Sequence, residues 1–246
     1  MLQRVVQRYG DISCVYLGDT ARVPFGYRKP REIRTIAREI VYWLKKQKAS
    51  SLLIACNTTN SLAHDIVESL SEMPVVGLIE AASQMITESR VGVLATPATV
   101  ASRAYSNQIK SYRPGTVVFE QGCPAFVPLI EAGFSTSNEI GLVASEYLKP
   151  LLEEQVEAVI MGCSHYPLLE PVLRELLPSH VRLVDPAVGL VNLLHPLLGD
   201  PSTTLEKTPT YLNTRFCVTS NPSCFANRVE GWIGFSPEVE LVSLQD

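Results

Sequence analysis

Apolar positions along the chain follow two rhythms. Short runs of mostly apolar residues at Leu52 to Ala55, Val75 to Ile79, Val91 to Ala95, Thr116 to Phe119, Ala158 to Gly162 and Val181 to Val184 read as buried strands, and another lies near Ile12 to Leu17. Between most of them the spacing changes to three or four. From Pro30, the residues Ile33, Ile36, Ala37, Ile40, Val41 and Leu44 line one face, while Arg31, Glu32, Arg34, Arg38, Glu39 and Lys45 fill the other. That is an amphipathic helix, with proline at a first position that needs no amide donor. Leu2, Val5, Val6 and Tyr9 form a similar apolar stripe. Cys56-Asn57-Thr58-Thr59 reads as a turn and Asn60 to Leu70 as the helix after it. Strands alternating with helices predict an α/β fold with mainly parallel sheets.

Two segments resemble each other. Leu52 to Thr58 and Ala158 to His165 each run from an apolar strand into a cysteine, Cys56 and Cys163, 107 residues apart. That interval is about one α/β domain, so the expectation is two similar three-layer domains, each with a cysteine at a strand's carboxyl end. Ligands of open α/β sheets bind at that end, which predicts an active site in the interdomain cleft with a thiol on either side.

Composition narrows the class. The chain has 246 residues, of which 46% are hydrophobic and 19% charged, enough for sizeable cores. A formal charge of −4, without a five-residue run of Lys and Arg, gives no field for nucleic acid. No apolar stretch is long enough for a membrane span and Met1 to Arg8 hold no signal-peptide core, so a cytoplasmic location is expected. Six cysteines without a Cys-x-x-Cys pair read as free thiols. Neither G-x-G-x-x-G nor G-x-x-x-x-G-K-[ST] occurs, so no nucleotide is signalled.

A facing pair of thiols suits inversion at an α-carbon. One thiolate removes the α-proton, a thiol on the opposite face delivers another, and the roles exchange in the reverse direction. Each cysteine precedes an expected helix, whose amides and dipole favour thiolate. Asn57, Thr58, Thr59 and Ser164 are short polar groups suited to binding carboxylates. Other readings of these residues are weaker. A lone cysteine after a strand is usually a small buried hydrophobe, and Cys14, Cys123, Cys217 and Cys224 are read as core or near-core residues. Zinc on Cys56, Cys163 and His165 lacks familiar ligand spacing. A hydrolase dyad of Cys163 and His165 asks residues two apart to meet, which they seldom do.

At these residues the chain resembles the glutamate racemases of the aspartate/glutamate racemase superfamily, nearly throughout its length. Tyr16 to Gly26 looks like the substrate loop, with Phe25 in place of the usual tyrosine; Ala55 to Thr58 looks like the first catalytic segment. Gly162 to Pro167 looks like the second, with Ser164 replacing threonine, and Ala95 to Val100 and Cys123 to Glu131 are also similar. The resemblance implies catalytic roles for Cys56 on the D-enantiomer and Cys163 on the L-enantiomer, assisted by His165 and Glu131. It implies substrate contacts from Pro24, Phe25, Gly26, Asn57, Thr58, Thr96, Thr99, Ser164 and His165. It also implies glutamate as substrate, D-glutamate for peptidoglycan, no cofactor and no metal, with dimers frequent among members. By the same resemblance the carboxyl-terminal segment returns to the first domain, so residues 1–89 plus 208–246 form one domain and 90–207 the other.

One family feature has no counterpart in this sequence. The family opens with a strand carrying Asp-Ser-Gly, whose Asp assists catalysis and whose Ser contacts substrate, whereas Met1 to Tyr9 resembles the helix that follows it. The expectation is a first domain without its first strand, whose codons lie upstream of Met1. An aspartate racemase or a related thiol decarboxylase would share the scaffold. So would a catalytically impaired binding protein.

Overall fold

The computed structural model describes residues 1–10, 12–133, 138–200 and 211–244. The chain starts with α1 (Leu2–Tyr9), β1 (Cys14–Gly18), α2 (Pro30–Lys46), β2 (Leu52–Ile54), α3 (Asn57–Ser71), β3 (Val75–Gly77) and α4 (Leu78–Gln84). Next come β4 (Arg90–Ala95), α5 (Pro97–Ser102), α6 (Ala104–Tyr112), β5 (Val117–Gly122), α7 (Phe126–Glu131), α8 (Asn138–Glu153) and β6 (Ala158–Gly162). After these follow α9 (Glu170–Leu176), β7 (Arg182–Val184), α10 (Pro186–Leu193), α11 (His195–Leu198), β8 (Thr214–Val218), α12 (Pro222–Ile233) and β9 (Val239–Leu241). The expected strand at 75–79 stops at Gly77, because Leu78 and Ile79 already open α4. Residue 208, where the carboxyl-terminal return was placed, and the boundary before it lie outside the described residues.

Every described strand pairing is parallel, as the alternating pattern predicts. The order β5-β4-β6-β7 makes a four-stranded sheet; β1-β8-β9 and β2-β3 make two smaller ones. The four-stranded sheet shows why continuous apolar runs are needed. Leu94, Val159 and Met161 face a cluster with α7, α8 and α9, while Val91, Val93, Ala95, Ala158 and Ile160 face one with α4 and α6. Side chains alternate across a strand, so two covered faces require apolar residues at both parities.

The smaller sheets are covered in the same way. Ile33, Ala37 and Val41 of α2 pack with Leu52, Ile54, Ala63 and Val67. The stripe on α1 divides, Val5 joining Val76, Leu78, Ala81 and Leu190, and Val6 joining Tyr211 and Phe216. Arg4 anchors α1 to the buried Asp185 through two guanidinium contacts, at 2.8 and 2.7 Å. Asp185 in turn caps α10 by accepting the Ala187 amide at 2.9 Å.

Helices α4 and α10 cross at Gly189, where an added Cβ would collide with the Ala81 carbonyl oxygen and lie 2.7 Å from Met85 Sδ. The nearest obstacle is backbone, so the helices themselves must separate. Gly189→Ala is expected to lower stability by about 2 kcal/mol despite alanine's better helix propensity. Thermal melting should register a fall of roughly 5 °C for a chain of this size.

Candidate active site

Strand register brings the polar residues together. Ala95 lies opposite Gly162 and Gly122, so Thr96, Cys163 and Cys123 all leave the four-stranded sheet at its carboxyl end. Cys56 follows β2 and is the N-cap residue just before α3. The turn expected at residues 56–59 is therefore the first turn of that helix, closed by the Asn60 amide donating to the Cys56 carbonyl at 2.9 Å.

Around Cys56 the groups are short, polar and buried. Asn57, Thr58 and Thr59 are all under 9% exposed. Burial pushes the Cys56 thiol up; hydrogen bonds from the Thr59 hydroxyl, the Thr59 amide and the Thr58 amide oppose the rise, and negative charge on Cys163 adds to it. The amide donors thus act in the expected direction, but burial outweighs them.

Three buried hydroxyls join the helices. Thr58 Oγ1 is 3.0 Å from Thr96 Oγ1, which lies 3.0 Å from Thr99 Oγ1, and Thr99 closes the triangle to Thr58 at 3.5 Å. Against them sits the loop from Pro24 to Gly26. A Cβ on Gly26 would lie 2.8 Å from Thr96 Cβ, so only glycine lets this backbone approach. Phe25 packs partly into the α2–α3 core, whereas Pro24 is exposed. Tyr27 carries the loop across by donating its hydroxyl to the Pro124 carbonyl.

Cys163 has different surroundings. No α-helix starts there, for the chain turns through exposed Ser164 into a short 3-10 segment, Tyr166–Leu169. This turn brings His165 Nδ1 within 3.9 Å of Cys163 Sγ, so residues two apart do meet. His165 Nε2 lies 2.8 Å from Glu131 Oε1, and Arg228 of α12 donates to Glu131 Oε2. Burial disfavours the imidazolium, but the hydrogen bonds to Cys163 and Glu131 outweigh it and push His165 up to about 10. Hydrogen bonding from His165 likewise holds Glu131 below the usual carboxylate range, despite burial and with help from Arg228. The row Cys163, His165, Glu131 and Arg228 thus sets an imidazolium between a thiol sulfur and a carboxylate.

Two contributors were not legible in the sequence. Arg228 is 97 residues from Glu131, on a helix with no motif. Tyr105, on α6, donates to Asn57 Oδ1 at 2.6 Å, yet in sequence it is simply one more core aromatic. Tyr16, the first residue of the expected substrate loop, lies on β1 and is pushed up to about 12, chiefly by burial and then by the charges of Glu131 and Cys56. Of the remaining cysteines, Cys123 and Cys217 are buried and Cys14 partly so, whereas Cys224, read as near-core, is exposed. Among the described residues no group of three His, Cys, Asp or Glu is placed to hold a metal ion.

The chain belongs to the Asp/Glu/Hydantoin racemase family, whose model matches residues 1–194. It is an amino-acid racemase, an isomerase. A curated glutamate racemase from Synechococcus sp. (strain CC9605) is 50% identical over 248 residues, covering 100% of this chain and 94% of the relative. The crystal structure of glutamate racemase from Francisella tularensis in complex with D-glutamate is similar at a TM-score of 0.84 and 33% identity, covering 94% of this chain and 88% of that one. Isoform RacE1 from Bacillus anthracis superposes with a TM-score of 0.89 at 25% identity, over 99% of this chain and 92% of the other.

Proposed function

We propose that this racemase interconverts L- and D-glutamate by a two-thiol mechanism without a cofactor, supplying D-glutamate for peptidoglycan in the cytoplasm. The observation that carries the reading is the placement of Cys56 and Cys163 at the carboxyl ends of strands in different sheets, ends that meet where Thr58, two residues after Cys56, lies 3.0 Å from Thr96, which follows the β4 residue opposite Gly162. In one direction the Cys163 thiolate takes the α-proton of L-glutamate, its electron pair delocalises into the α-carboxylate, and the Cys56 thiol returns its own proton on the opposite face. Cys56 becomes the thiolate and Cys163 the thiol. From D-glutamate the steps reverse.

The other residues divide between binding and assistance. Asn57, Thr58, Thr96, Thr99 and Ser164 supply donors for the carboxylates, and Pro24, Phe25 and Gly26 form the loop over them. His165, fixed by Glu131, is the counter-ion for the Cys163 thiolate. The cleft lies between the domain of residues 1–89 plus 208–246 and that of 90–207. Glutamate is favoured as substrate by the identity of the named relatives and by the D-glutamate held in the Francisella tularensis enzyme. No described helix is long and apolar enough to cross a membrane.

Circular dichroism tests the reading directly. Either enantiomer of glutamate should decay to zero ellipticity, before and after dialysis against a chelator, and aspartate should respond far more slowly. Inversion of aspartate alone, or activity restored only by zinc or pyridoxal phosphate, would overturn it.

A further inference from the structure

Asn57 is 2% exposed, and its carboxamide has one accepting end and one donating end. The accepting end is taken, since Tyr105 Oη donates to Oδ1 at 2.6 Å. The donating end is buried without a partner. An unpaired buried donor is unfavourable until something supplies an acceptor, and this one belongs to the residue after Cys56. Tyr105 suits the task because burial pushes its hydroxyl well above the ordinary range, keeping it a proton donor at working pH.

The tyrosine also bridges the two cysteine-bearing segments. A Cβ on Gly162 would lie 3.1 Å from Tyr105 Cε2, so the ring rests on the backbone just before Cys163 while its hydroxyl ends on the residue after Cys56. We infer that Tyr105 is a positioning residue: it locks the Asn57 carboxamide with Nδ2 free to donate to a substrate carboxylate, and it spans the strand ends that carry the two thiols. The ligand half of this inference rests on the amino-acid racemization proposed above. The hydrogen bond itself does not.

The test compares wild type, Tyr105→Phe, Asn57→Ala and the double variant. In protein labelled with ¹⁵N-asparagine, the Asn57 Nδ2 proton pair is identified by its loss in Asn57→Ala. Tyr105→Phe should shift or broaden that pair, and the wild type should show a nuclear Overhauser contact from the Tyr105 ring to it. In turnover, Tyr105→Phe should raise the glutamate KM about tenfold, the scale of one lost hydrogen bond, with a smaller fall in kcat. The double variant should be no worse than Asn57→Ala. Losses that multiply, or an unchanged KM and carboxamide spectrum in folded Tyr105→Phe, would overturn the inference and leave glutamate racemization standing. A wild type that does not racemize glutamate would sink the functional reading, and the carboxamide spectra would still judge the hydrogen bond. If Tyr105→Phe does not fold, absence of the Overhauser contact in the wild type overturns the inference and its presence supports it.

Discussion

Replacing either Cys56 or Cys163 by serine is expected to reduce racemization by about a thousandfold or more, because a serine hydroxyl neither ionises near neutral pH nor matches a thiol as proton donor. The two variants should fail differently. In D₂O, Cys56→Ser keeps the Cys163 thiolate, so L-glutamate should acquire α-deuterium without inverting. Cys163→Ser should do the same for D-glutamate. The folds should survive, since serine is close to cysteine in size and both positions border the ligand space. Mass spectrometry of each recovered enantiomer reads the outcome. Racemization near the wild-type rate in either variant would show that the second thiol is not an acid or base in the reaction.

What was legible in the sequence was whatever repeats. Strands buried on both faces leave uninterrupted apolar runs; β6 follows its run to the residue, and β4 starts one residue before its run, at Arg90. Helix α2 announces itself by spacing and by Pro30. The start of α3 was obscured because Asn57, Thr58 and Thr59 are turn-formers by habit, and here those polar groups stay inside the helix, buried at the site. Cys56, Cys163, Thr96 and the loop at Gly26 could be named from local motifs. Pairings across the fold could not. Tyr105 reaches Asn57 over 48 residues and Arg228 reaches Glu131 over 97, and no local periodicity encodes such contacts.

The environment of Cys163 was the harder miss, and it carries the second large effect. Sequence spacing argued against contact between Cys163 and His165, yet with no α-helix starting at Cys163 the backbone folds back and the imidazole supplies the positive charge that a helix dipole does not. His165→Gln retains a side-chain amide that can donate to Glu131 and removes the cation. At neutral pH its racemization should fall about a hundredfold, the lower range of general acid–base effects. Iodoacetamide should then modify Cys163 more slowly relative to Cys56. The stability of the variant gives an independent measure. His165 is raised from 6.5 to about 10, so the stability it gains from its partners is fully present below about pH 6.5 and is lost as pH rises through about 10. Glu131 has the opposite sign: its depressed value makes its contribution present above about 4.5 and lost as pH falls through the lower folded value. The melting temperatures of wild type and His165→Gln should therefore differ most between about pH 4.5 and 6.5, and the gap should close as pH approaches 10. A gap that stayed constant from pH 6 to 10, together with unchanged turnover, would mean that the imidazole is not charged beside Cys163 and that the thiolate is held by something else.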